Sequence, residues 1–77
     1  MNLNIKYFGM LAEITSCNEE KFQFSGSTVS DLLEALFGKY PDLKNKNFKV
    51  AQQHDLVTEE SAIFSSEIVL LPPFAGG

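Results

Sequence analysis

The chain has 77 residues and a formal charge of −4, from ten acids set against six lysines and no arginine. A nucleic-acid binder needs a basic stripe to displace phosphate counterions, and this sequence has none. At 44% apolar, with seven Phe, two Tyr and no Trp, it reads as one globular domain, not a disordered segment. A domain of this size buries only about 60% of the surface its unfolded chain exposes, so its core must be compact. The acidic surface suits a basic protein partner or simple solubility. Cys17 is the only cysteine, which excludes an internal disulfide and fits a reducing compartment. No apolar run approaches the roughly 18 residues of a membrane span, and "MNLNIKYF" alternates instead of forming a signal-peptide core. These features predict a soluble cytoplasmic protein.

In chain order, "NLNIKYF" reads as a half-buried strand, with Leu3, Ile5 and Tyr7 on one face. Phe8 falls on the other face, with Asn2, Asn4 and Lys6. After Gly9, "MLAEI" suggests a short helical turn. "EKFQFS" alternates again and predicts a second strand, pairing with the first across a long connection. "TVSDLLEALFGKYP" is the clearest helix. Thr28 suits the N-cap, and Asp31 lies three residues on, near the positive end of the dipole. Val29, Leu32, Leu33, Leu36, Phe37 and Tyr40 make one stripe, and Pro41 stops the helix. "DLKNKN" reads as a polar connection and "FKVAQ" as a third strand. "QHD" is a turn, "LV" opens a short strand, "TEES" is a loop and "AIF" an apolar anchor. "EIVLL" is the last strand, apolar on both faces as though covered on both sides. Pro72-Pro73 ends it, because proline has no N–H for the ladder. The order β-β-α-β-(β)-β predicts an α+β fold, with one main helix packed on one face of a mixed sheet.

The residues that usually carry chemistry do not gather. His54 is alone in a turn and is read as a surface histidine, because a metal site needs partners at fixed spacing. Cys17 and His54 lack any marked orienting group or oxyanion hole. Cys17 is read as an incidental or buried thiol. Glu19-Glu20 and Glu59-Glu60 fall in or beside loops and are read as solvated. Gly9, Gly26 and Gly38 are too isolated to cradle phosphate. The expectation is a chain with no metal, no bound cofactor and no enzyme site of its own.

The tail is different. The sequence finishes "LLPPFAGG", and average glycine usage gives a final Gly-Gly a chance of only about 0.5%. A frayed end or an expression remnant is the bland explanation. Yet two stiff prolines aim the segment away from the fold, and glycine lets another protein's walls close on the backbone. Residues 72–77 can reach roughly 20 Å when extended. That arrangement suits delivery of the Gly77 carboxylate into a partner's active site. A carboxylate must first be activated, for example as an acyl-adenylate from ATP. A sulfur nucleophile can then leave a thiocarboxylate.

The chain resembles the ubiquitin-like β-grasp sulfur carriers and, among them, the small subunits of molybdopterin synthase. "IKYFGMLAEI", "STVSDLLEALFGKYP" and "EIVLLPPFAGG" carry the resemblance, which runs almost end to end. Thiamine-pathway carriers also end Gly-Gly but usually lack the Pro-Pro. The resemblance implies a four- to five-stranded β-grasp domain over residues 1–71, with an extended tail over 72–77. It implies that a ubiquitin-activating-type enzyme adenylates Gly77 with ATP, and that a sulfur donor protein completes the thiocarboxylate. Pro72, Pro73, Phe74, Ala75 and Gly76 would insert into the large subunit of molybdopterin synthase. There the tail would give sulfur to a cyclic pyranopterin monophosphate precursor, within a heterotetramer. The implied partner-facing residues are Phe8, Leu56 and Leu71, the alternative on sequence alone being that they are core residues of an irregular domain. Ala12 stands where many members have Arg, Ser65-Ser66-Glu67 replaces a typical acidic turn, and Phe74 is unusually bulky. Two other readings remain open. One is a carrier for thiamine or another thiolation pathway. The other is a protein modifier or binding module whose tail is idle.

Overall fold

The computed structural model describes residues 1–73. Strand β1 spans Asn2–Tyr7, helix α1 Met10–Thr15 and strand β2 Glu19–Gln23. Helix α2 spans Val29–Lys39 and runs into a 3-10 helix over Pro41–Asn45. Strands β3 (Lys49–Gln52), β4 (Asp55–Val57) and β5 (Glu67–Leu71) complete the described fold. The sheet order is β2-β1-β5-β3-β4. Among the described strands only the central β1–β5 pair is parallel; the other pairs are antiparallel. This is the mixed five-stranded sheet with one main helix that the sequence predicts.

Helix α2 starts at a full capping box. Asp31 N–H donates to Thr28 Oγ1 at 3.2 Å, and Thr28 N–H donates back to the Asp31 carboxylate at 3.1 Å. Ser27 N–H also donates to that carboxylate at 3.0 Å, and the bonds from the Ser27 and Thr28 amides hold the Asp31 carboxyl below its usual range. The apolar stripe then does its work: Val29, Leu32 and Leu36 are wholly buried. They share one core with Leu3, Ile5 and Tyr7 of β1 and with Ile68 and Leu70 of β5. Each such side chain contributes about 1.5–3 kcal/mol on burial.

Three expectations need correction. The "DLKNKN" connection is not purely polar: it coils into the 3-10 helix, and Leu43 is 0% exposed within the core. A single leucine among charged residues has no periodicity to announce it. Strand β5 is not covered on both faces: Ile68 and Leu70 are buried, but Val69 and Leu71 are only half-buried. The helices lie on one side of the sheet and leave the other open. Within "AIF", Ile63 packs on the core while Phe64 is exposed.

The β3–β4 hairpin turns on Gln53 and His54, both at positive φ (49° and 70°). Two left-handed central residues match the right-handed twist of the flanking strands. His54 therefore sits on the surface because the turn places it there.

Candidate functional site

The pairing registers assemble the open face. Lys6 of β1 lies opposite Val69 of β5, Val69 opposite Ala51 of β3, and Ala51 opposite Leu56 of β4. One row of side chains thus crosses four strands. Toward the chain's exit, Leu71 pairs with Lys49, and Phe8 follows the last residue of β1. Phe8 is 47% exposed and Leu56 59% exposed, while Leu71 is half-buried. Together with Val69 and Ala51 they line one shallow depression, which Lys6, Glu67 and His54 border. Lys6 Nζ and a Glu67 carboxylate oxygen pair there at 3.2 Å. The β2 side of the same face is polar, with Glu19, Lys21 and Gln23 exposed.

Phe8, Leu56 and Leu71 therefore share a surface and do not fill the core. Large exposed apolar side chains grouped this way normally mark a contact with another molecule. Half-buried Val69 enlarges the patch and buried Ala51 lies at its floor; neither was singled out from the sequence. The signal was present, because Val69 alternates in step with Leu71.

The tail leaves from the edge of this patch. Strands β1 and β5 run parallel, and Phe8 N–H donates to the Leu70 carbonyl at 3.2 Å. Beyond that rung β1 swings into α1, while β5 continues through Leu71 to Pro72 and Pro73, both half-buried. Phe74, Ala75, Gly76 and Gly77, to which the sequence assigns insertion and chemistry, lie outside the described residues.

The titratable side chains singled out from the sequence lie away from this patch or apart from one another. Cys17 precedes β2 at one edge of the sheet, and His54 lies in the turn leading to β4 at the other. They do not form a nucleophile–base pair. The Cys17 thiol instead lies 3.7 Å from Thr15 Oγ1. Glu20 corrects the expectation of a solvated side chain: within β2 it is half-buried and faces the helix side opposite Ile5. Its carboxylate accepts from Lys39 Nζ at 2.8 Å, from the Tyr40 hydroxyl at 2.9 Å and from the Tyr7 hydroxyl. Burial pushes the Glu20 carboxyl up, but these three donors outweigh it and hold it below its usual range. Burial and the neighbouring Glu20 push Tyr7 far above the ordinary phenol range. The carboxylate stays ionised and the phenol stays protonated near neutrality, so the cluster ties β2 to α2 and does not exchange protons. Among the described residues, no three His, Cys, Asp or Glu side chains gather to hold a metal ion. No described helix is long and apolar enough to cross a membrane.

A family model described as the ThiS family matches residues 5–77. Among solved structures, the chain is similar to small archaeal modifier protein 1 from Haloferax volcanii. There the identity is 26%, both chains are covered in full, and the TM-score is 0.80. A Pyrococcus furiosus protein assigned as molybdopterin converting factor subunit 1 superposes with a TM-score of 0.86 at 17% identity, covering 96% of this chain and 99% of that one. The Amycolatopsis orientalis BexX/CysO complex holds a chain with a TM-score of 0.72 at 18% identity, covering 97% of this chain and 99% of that one. At those lower identities the last two speak for the β-grasp fold alone.

Proposed function

The chain belongs to the ThiS family of ubiquitin-like sulfur carriers, and from that premise we propose that it is the sulfur-carrying subunit of a molybdopterin synthase. In this reading the chemistry is done to the chain by its partners. A ubiquitin-activating-type enzyme joins the Gly77 carboxylate to AMP, releasing pyrophosphate from ATP. Hydrosulfide delivered by a donor protein then attacks the acyl carbon, expelling AMP and leaving the thiocarboxylate. The tail enters the large subunit and gives its sulfur to a cyclic pyranopterin monophosphate precursor. The chain itself binds no cofactor and contributes shape, reach and one carboxylate.

One observation carries the reading: the described strand β5 exits at the edge of an exposed apolar patch, immediately before the Pro-Pro-x-x-Gly-Gly segment. A docked partner would cover Phe8, Leu56 and Leu71 while its active site receives residues 72–77. The carbonyl carbon of Gly77 has no Cβ or neighbouring side chain to hinder attack. The Pro72-Pro73 pair supports the molybdopterin assignment over the thiamine one.

Deleting Gly76 and Gly77 tests it. The shortened chain keeps its fold and its binding to the large subunit but loses sulfur transfer and dependent molybdenum-enzyme activity. Molybdenum-enzyme activity that survives the deletion rules the reading out. The full-length similarity to small archaeal modifier protein 1 favours one second reading, in which the same terminus is joined to other proteins. It is distinguished by isopeptide-linked products that persist when the large subunit is absent.

A further inference from the structure

The corner between β1 and α1 faces the point where the tail leaves the sheet. Gly9 occupies that corner with φ 61° and ψ −139°, a conformation that side-chain-bearing residues rarely adopt. A Cβ built there would lie 3.1 Å from Pro72 Cγ. The pyrrolidine ring of Pro72 therefore rests directly against the bare backbone of Gly9. The corner itself is anchored on both sides. Phe8 N–H holds the Leu70 carbonyl at 3.2 Å, and Ala12 N–H holds the Gly9 carbonyl at 3.1 Å. Phe8, the residue before Gly9, is exposed on the open face. One dipeptide thus presents a patch side chain on one side and seats the first tail residue on the other.

We infer that Gly9 is a positioning residue: its bare backbone seats Pro72 and fixes the direction of the tail relative to the patch. This rests on the carrier reading above. A partner that grips Phe8 and Leu71 receives the tail at one angle, because Pro72 has a fixed φ and one face against a rigid corner. Replacing Gly9 by Ala does two things. It strains a positive-φ position, and it pushes Pro72 outward by a few tenths of an ångström. Held extended by a partner, residues 72–77 would span roughly 20 Å, and a small displacement at Pro72 would grow along that length. Misplacement of a reacting atom by about 1 Å can cost on the order of 10²-fold in rate.

The experiment compares Gly9→Ala with wild type and with Thr28→Ala, which removes the α2 cap far from the tail. Each carrier is first converted to its thiocarboxylate, checked by intact mass, and its sulfur transfer to the precursor in the large subunit is then followed at varied carrier concentration, with stability measured by chemical unfolding. The expected result for Gly9→Ala is a kcat at least about tenfold lower with KM little changed, since docking through the patch persists. Thr28→Ala, although destabilised, keeps the wild-type kcat. Equal kcat for Gly9→Ala and wild type overturns the inference. So does a parallel fall in both variants, which would make Gly9 a stability residue only. Absence of any sulfur gain in wild type, with the activating enzyme competent on another carrier, instead removes the carrier reading on which the inference stands.

Discussion

Gln52 shows how one side chain can hold a long loop. It is 0% exposed on β3, where an apolar residue would be the ordinary choice. Its amide makes three hydrogen bonds: Nε2–H donates to the Ala62 carbonyl at 3.0 Å. Oε1 accepts from Phe64 N–H at 3.0 Å and from Ser65 N–H at 3.2 Å. These bonds pin the segment that leads into β5 and hence the start of the tail. Gln52→Ala leaves the backbone groups of that segment without partners and costs roughly 1–3 kcal/mol. Chemical unfolding measures it; an unchanged midpoint would mean that water replaces the amide without loss. Nothing in "FKVAQQHD" marks Gln52 as different from Gln53, because its partners lie ten and more residues away in sequence. Thr28 and Asp31 were legible for the opposite reason: their bonds are local, and the capping box is written in adjacent residues.

Among the elements, β2 and α2 are joined by the Glu20 cluster as well as by apolar packing. Lys39 lies 5.7 Å from the Phe22 ring centre and 5.3 Å from that of Tyr40, over the carboxylate it binds. The Tyr7 and Tyr40 rings meet edge to face at 6.2 Å. Because the folded Glu20 carboxyl titrates below its ordinary 4.5, the unfolded chain takes up its proton first as the pH falls. The stabilisation is therefore complete above that ordinary value and is lost as pH drops through the lower folded one. Urea unfolding between about pH 6 and pH 2 should show a steeper acid loss in wild type than in Glu20→Gln. Parallel curves would show that Glu20 contributes nothing to acid sensitivity. Local pattern revealed each strand and the main helix, because period 2 and period 3.6 are properties of neighbouring residues. It did not reveal that β2 begins at Glu19, since "EE" carries no alternation and Glu20 finds its partners on two other elements. Leu43 escaped for the same reason.

At the scale of the whole molecule, the sheet has two unlike faces. One is closed by α2 and the core; the other is open, polar on the β2 side and apolar around Val69, Leu71, Phe8 and Leu56. Strand order produced this division: β5 lies between β1 and β3, so the tail emerges from the middle of the sheet beside the patch. Phe8→Glu and Leu56→Glu should each weaken capture by the large subunit at least about tenfold, with little effect on folding because both side chains are already solvated. Titration calorimetry checks the first part and thermal unfolding the second. Undiminished binding in both variants would move the docking surface elsewhere. The candidate patch could be read from Phe8 standing out of its polar alternation and from Val69 alternating in step with Leu71, whereas Ala51 joined it only through pairing registers that sequence does not print.

The central claim is that Gly77 carries sulfur. The most direct measurement is an intact mass of the chain after incubation with ATP, a sulfur donor and the activating enzyme of its own host. The account predicts a gain equal to one oxygen exchanged for one sulfur, localised to the C-terminal peptide and absent without ATP. No gain, from an activating enzyme shown to be competent on another carrier, would contradict it.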